Sequence, residues 1–248
     1  MNPLPKVSCY CATYGRPWAL EESIESFLRQ DYKGEKELIV LNDYAGHALV
    51  FNHPQVKVLN LADRITPLGK KFNETVALCS GEIIFPWEDD DVFLPNKISY
   101  SVDHMVDGLF HTHLAFYEQD GELIVQGNHF HCNMAVERSL WNKAGWYAEM
   151  DKCDLDIQLM HRLFEAAPKG RQSIDIEDIF YVYRWGTTGS YHASGWGSAE
   201  GTFASIGAQD IVRHQVAQGR IPQGPHVLNP HWSYDYIAAA QRAITKAQ

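Results

Sequence analysis

Four consecutive carboxylates, Glu88, Asp89, Asp90 and Asp91, stand in the stretch "GEIIFPWEDDDVFLP". An apolar run leads into them and another follows. Like charges this close repel, and each raises its neighbours' pKa unless a cation relieves them. The chain therefore needs either open water or a metal ion at this point. In an extended chain, alternation predicts Glu88 and Asp90 on one side and Asp89 and Asp91 on the other. A set rich in carboxylate oxygens suits Mg²⁺ or Mn²⁺, which take one or two carboxylates together with phosphate oxygens.

Other residues with usable chemistry recur where one pattern gives way to the next. Thr13 and Tyr14 follow the apolar run "VSCYCA", and Arg16 comes directly after the turn glycine. Asp43 closes "LIVLND", where an Asx turn is its bland role. Gly69 and Lys70 open a helical pattern; Lys70, preferred to Lys71, can meet a phosphate there together with free backbone N–H groups. Asp154 and Asp156 stand at the head of "DLDIQLMHRL", Asp154 in the N-cap position. A carboxylate so held can take a proton from a hydroxyl. The pairs His111/His113 and His129/His131 have strand spacing that turns both members to one side. Zinc asks for three or four ligands in defined geometry, so polar lining is their expected role.

These residues need elements to carry them. "KVSCYCATYG" reads as a strand and turn, and "RPWALEESIESFLRQDY" as a helix with Leu20, Ile24, Phe27 and Leu28 on one stripe. Arg16 and Pro17 suit its start. "KELIVLNDYAG" and "VKVLNL" read as strands, "GKKFNETVALCSG" as a helix stopped by Gly81, and "EIIFPW" as the strand that delivers the acids. Such alternation predicts an α/β layer fold with a mostly parallel sheet, whose ligands bind beyond the carboxyl ends of the strands. The acidic run, Asn42–Asp43 and Thr13–Tyr14 all fall at such ends. The second half reads as strands around "QDG", helices at "RSLWNKAGW" and "DLDIQLMHRLFEAA", a strand in "IEDIFYVYRWG", a Gly/Ser-rich stretch holding His192, and a C-terminal helix.

The totals agree with one sizeable core: 248 residues, 45% of them hydrophobic, and a formal net charge of -10. That balance weighs against a nucleic-acid backbone as the main partner. The five cysteines (Cys9, Cys11, Cys79, Cys132, Cys153) show no paired zinc spacing and fit small buried thiols in a reduced compartment. No apolar stretch approaches the length of a membrane span, and no secretory leader pattern opens the chain, so a cytoplasmic protein is expected.

In this order the chain resembles the family 2 glycosyltransferases with the GT-A fold. The family's V-S-x-x-x-x-T-Y-x-R-P opening is similar to "VSCYCATYGRP", and its second strand to "LIVLNDYAG". A subgroup's G-x-K-x-N and G-E-x-I-x-x-W-D-D-D-D are similar to "GKKFN" and "GEIIFPWEDDD". The later glycine-aromatic pair and E-D-x-D-L are similar to "AGWYAEMDKCDLDIQL". Two departures stand out: Glu88 replaces an aspartate, and Cys153 a glutamate.

The resemblance implies a donor-binding half (residues 1–98) and an acceptor-binding, catalytic half (residues 99–248) within one continuous domain. It implies transfer of a sugar from a nucleotide-diphosphate donor to a hydroxyl, with inversion, in the presence of Mn²⁺ or Mg²⁺, and with UDP the first choice of nucleotide. Thr13, Tyr14, Arg16, Asp43, Gly69, Lys70, Glu88 and Asp89 fall on the donor side; Asp90, Asp91 and His192 on the metal. Glu88-Asp89-Asp90 takes the D-x-D position. Asp154 is the implied general base, with Asp156 its runner-up. The acceptor is a glycan or a small molecule, with a modified nucleic acid a minor option. A nucleotidyltransferase of similar fold, or a binding module without chemistry, would share much of this pattern.

Overall fold

Strand β1 (Val7–Thr13) shows how the layers arise. Val7, Cys9 and Cys11 point to one face and Tyr10 to the other, and all four are buried, so both faces must be covered. The structure, a computed structural model, describes residues 3–119, 121–128, 130–150, 154–184 and 204–248. Helix α1 (Pro17–Leu28) covers the cysteine face with Leu20, Ile24 and Phe27, each fully buried. Burying such a side chain is worth about 1.5–3 kcal/mol. Pro17 occupies the first turn, as its fixed φ suits.

The chain continues through β2 (Lys36–Asn42), β3 (His47–Val50), β4 (Val56–Asn60), α2 (Leu68–Ala77), β5 (Ile83–Pro86), β6 (Val92–Phe93) and α3 (Lys97–Asp103). The second half adds β7 (Leu109–Thr112), β8 (Leu114–Gln119), β9 (Glu122–Gly127), β10 (Met134–Glu137), α4 (Arg138–Ala144) and α5 (Leu155–Ala166). It closes with β11 (Arg171–Gln172), β12 (Tyr181–Tyr183), α6 (Ala204–Ala217), β13 (Gly224–Val227) and α7 (Tyr236–Ala247).

A seven-stranded sheet runs in the order β11-β7-β10-β5-β1-β2-β4. Its β5-β1-β2-β4 portion is parallel throughout, and β10 runs antiparallel to both neighbours. Strands β6, β12, β8 and β9 form a second sheet. One core packs α1 and α7 against the cysteine face; the other packs α2, α4 and α5 against the Tyr10 face. The expected mostly parallel sheet between helices is present.

Several local expectations differ. Helix α2 ends at Ala77 with Leu78 still right-handed, so Gly81 is not its stop. Gly81 instead lies against β1, where an added Cβ would meet the Ser8 nitrogen at 2.6 Å. Strands β3 and β13 form a separate parallel pair. His111 and His113 do not share a strand face: β7 ends between them, His111 is buried with its Nε2 3.2 Å from the Phe130 carbonyl, and His113 is exposed. His129 lies outside the described residues.

Candidate active site

Strands β1 and β5 are parallel neighbours, so the loops after them meet at one edge of the sheet. The loop after β5 carries the acids, and it does not stay extended: a turn at residues 89–90 breaks the predicted alternation. Each carboxylate finds its own partner. Arg16, buried in the β1–α1 loop, pairs with Asp89 through Nη2 and with Asp90 through Nη1 at 2.5 Å. Its Nε donates to Asp89 Oδ2 at 3.2 Å. Arg16 thus relieves part of the charge that the sequence reading left to water or a metal ion. Burial raises the Asp89 carboxyl above its ordinary range, with Arg16 opposing and Asp90 adding to the rise.

Asp91 turns inward. Its Oδ2 accepts from the Tyr181 hydroxyl at 2.5 Å and its Oδ1 from the Arg184 amide at 3.1 Å, which tie the loop to β12. Asp91, expected among the metal ligands, is engaged with Tyr181 and Arg184, and the carboxylates whose oxygens gather within 4.8 Å of one another are Glu88, Asp89 and Asp90. This all-oxygen set fits Mg²⁺ or Mn²⁺ in chemistry. Glu88 lies opposite His131, with Oε1 3.4 Å from Nδ1. Burial pushes the His131 imidazole down to about 4, with Asp156 opposing.

Arg184 went unread in the sequence. It is buried, pairs with Glu22 of α1, and donates through Nε to the Asp90 carbonyl at 2.5 Å. Glu22 in turn accepts from the amide and hydroxyl of Ser233 at 2.8 and 2.5 Å, tying the C-terminal segment to the back of the acidic loop. A buried cation needs a partner, but nothing local in "YRWG" says which one.

The donor-side residues gather beside this loop. Thr13 is buried and its carbonyl accepts from Lys71 Nζ at 2.7 Å. Tyr14 lies under the Arg64 guanidinium, 3.3 Å from the ring centroid, with Tyr44 at its edge. Asp43 is buried and accepts from the Ile65 amide at 2.9 Å and Lys71 Nζ at 2.6 Å, with Arg64 at 3.4 Å. Gly15, at φ +69°, sits in the left-handed region, and an added Cβ would meet Val212 of α6 at 2.7 Å.

The backbone amides expected to be free at the start of α2 are engaged within the protein. The Gly69 amide donates to the Met150 carbonyl at 3.1 Å, and the Lys70 and Lys71 amides to the Pro67 carbonyl at 3.0 and 3.3 Å. Lys70 is exposed, whereas Lys71 points inward to Asp43. Gly69 is glycine because an added Cβ would stand 1.9 Å from the Ala148 carbonyl.

Across the cleft, Asp154 precedes α5 but its side chain caps nothing. Its Oδ2 accepts from Gln158 at 3.0 Å, and its Oδ1 is buried without a hydrogen-bond partner among the described residues. Asp156 accepts from the Ile157 amide at 2.8 Å; burial raises its carboxyl, with His131 opposing and Glu88 adding to the rise. His192 and Cys153 lie outside the described residues.

A carboxylate cluster, the Tyr14–Tyr44 pair and Asp43 thus lie at one sheet edge, with Asp156 near enough to Glu88 and His131 for both to act on its carboxyl. The family model for glycosyl transferase family 2 matches residues 8–161, more than half of the chain and all of this edge. The chain belongs to glycosyl transferase family 2. WcaA of Escherichia coli (strain K12), a glycosyl transferase named for colanic acid biosynthesis, is 28% identical over 127 residues, which cover 48% of this chain and 44% of that relative. The match thus spans less than half of that relative's length.

Solved structures share the GT-A fold. S. aureus TarS 1-349 in complex with UDP-GlcNAc aligns with a TM-score of 0.56 at 12% identity over 97% of this chain and 71% of that one. The mannosyltransferase PcManGT from Pyrobaculum calidifontis, in complex with GDP-Man and Mn²⁺, aligns with a TM-score of 0.54 at 15% identity over 99% of this chain and 76% of that one. No helix among the described residues of this family 2 chain is long and apolar enough to cross a membrane.

Proposed function

We propose that this family 2 chain transfers a sugar from a nucleotide-diphosphate donor to a hydroxyl acceptor, with inversion and in the presence of Mn²⁺ or Mg²⁺. The observation that carries the proposal is the gathering of Glu88, Asp89 and Asp90 at the carboxyl edge of parallel β1 and β5. Glu88 and Asp90 are the carboxylates that would hold the cation, Asp90 sharing it with Arg16. When bound, the cation supplies charge for the departing diphosphate. The complexes of TarS with UDP and of PcManGT with GDP-Man and Mn²⁺ support the same class of donor.

Thr13, Tyr14 and Asp43 form the base side of the cleft. Tyr14 offers a ring and Asp43 a carboxylate, with Arg64 placed between them as a second polar edge. Across from them, Asp154 or Asp156 would take the acceptor proton as the hydroxyl oxygen attacks the anomeric carbon. Asp154 has a buried oxygen with no hydrogen-bond partner among the described residues; Asp156 has the raised affinity for a proton. The acceptor is a glycan or small-molecule hydroxyl, and the buried free thiols suit the cytoplasm.

Calorimetry with UDP, GDP and dTDP, each with and without Mn²⁺, tests donor binding, and a nucleotide-sugar panel assayed for slow hydrolysis fixes the sugar. Cation-dependent binding of one nucleotide and release of the nucleoside diphosphate are expected. Hydrolysis that persists in excess chelator would remove the role given to the acidic loop, and release of pyrophosphate would make the chain a nucleotidyltransferase.

A further inference from the structure

Below Glu88, three buried side chains from distant parts of the chain close a triangle. Tyr147, in the segment between α4 and α5, hydrogen-bonds through its hydroxyl to both the Tyr10 hydroxyl and His131 Nε2. The Tyr10 hydroxyl lies 3.3 Å from the same nitrogen. All three side chains are buried. The other ring nitrogen of His131, Nδ1, is 3.4 Å from Glu88 Oε1.

Counting protons decides how this triangle is wired. Two hydroxyl protons and one imidazole nitrogen are enclosed, and among the described residues they have only each other as hydrogen-bond partners. If Nε2 carried a proton, three donors would compete for two hydroxyl oxygens. The chain Nε2–H to Tyr147 to Tyr10 would then leave the Tyr10 proton buried with no acceptor among the described residues. A buried donor left unmade costs about 1–3 kcal/mol. The doubly protonated ring also carries Nε2–H and fails the same count. If Nε2 is bare, Tyr147 donates to it and Tyr10 donates to either, and every proton is placed. The neutral ring then has its only proton on Nδ1, the nitrogen that faces Glu88.

We propose that His131 is a positioning residue: Tyr10 and Tyr147 hold its Nε2 as an acceptor, and the Nδ1–H this leaves restrains the Glu88 carboxylate within the gathered set of Glu88, Asp89 and Asp90. The inference rests on the reading of Glu88 as a donor-facing group. A glutamate has a longer arm than an aspartate and one more rotor to order. A fixed N–H donor at its tip compensates for that freedom. Three elements that share no local sequence, β1, the loop before α5 and the turn before β10, combine to set one proton on one nitrogen.

The first test needs no ligand. In the uniformly ¹⁵N-labelled full chain, long-range ¹H–¹⁵N spectra of the histidine rings distinguish the two tautomers, and the His131→Asn variant identifies the His131 signal. The Nδ1–H form is expected, shifting towards a mixture in the Tyr10→Phe/Tyr147→Phe double variant. An Nε2–H signal in the parent chain overturns the proposal even if the double variant fails to fold.

The second test uses donor hydrolysis. Asparagine places its amide near the Nδ1 position and glutamine near the Nε2 position. His131→Gln should therefore raise KM by up to about tenfold, the scale of one lost hydrogen bond, and His131→Asn should raise it less. Equal effects of the two variants would reduce His131 to packing and overturn the positioning role. Should no nucleotide-sugar be turned over at all, the glycosyl-transfer reading falls, and the tautomer spectrum alone decides the wiring of His131.

Discussion

At the end of β1, one guanidinium holds two carboxylates that would otherwise be buried side by side. Removing a single partner from a buried ion pair costs about 3–5 kcal/mol, because the charge left behind has no compensation. Arg16→Gln should accordingly lower the denaturant midpoint sharply. Mn²⁺ should then restore more stability to the variant than to the parent, since a cation and Arg16 serve the same oxygens. Equal stabilisation of both proteins by Mn²⁺ would place its binding elsewhere. The carboxylates across the cleft call for a rate measurement. Asp154 makes no cap, so Asp154→Asn removes charge while an amide oxygen can still accept from Gln158. Its thermal midpoint should move little, and turnover should fall by roughly 10²–10⁴-fold if Asp154 takes the proton. The reverse pattern, with only Asp156→Asn inactive, would move that role to Asp156.

Helix α2 and the segment at residues 148–150 approach so closely that Gly69 has no room for a side chain. Gly69→Ala must push backbone from backbone and break the Gly69 amide bond to Met150, a combination expected to cost about 1–3 kcal/mol or more. Denaturant titration would read it; an unchanged midpoint would show that the two segments separate freely. The elements themselves were legible wherever the signal is local. Leu20, Ile24 and Phe27 betray α1 by spacing, and the apolar runs betray β1, β2 and β5. What could not be read is pairing across long separations: β3 with β13, Glu22 with Arg184, Asp91 with Tyr181. The same limit explains the preference for Lys70 over Lys71. Both stand at a helix start, and only packing turns Lys71 inward to Asp43.

Across the whole molecule, the buried thiols and amines set the response to alkali. Cys9, Cys11, Cys79 and Cys132 are all free and buried. Burial raises each thiol, Cys79 to about 12. In the unfolded chain such thiols ionise near pH 8.5. Above that pH the native state holds more protons than the unfolded one, so stability falls as pH rises. Lys36, Lys71 and Lys97 work the other way. Burial lowers each, Lys97 to about 8, and between there and its ordinary value near 10.5 the unfolded chain holds the extra Lys97 proton. Its contribution rises across that window. Three lowered lysines can balance only part of four raised thiols, and Tyr10, Tyr147 and Tyr181, also raised by burial, join the thiols above about pH 10. Stability should hold nearly level to about pH 8.5 and decline beyond pH 9. Cys79→Ala removes one of the opposing groups, so its decline should be shallower by up to about 1.4 kcal/mol per pH unit. Urea titrations of both proteins from pH 7 to pH 10 would show it; parallel curves, or a parent whose stability climbs to pH 10, would mean that these thiols do not govern the alkaline limb.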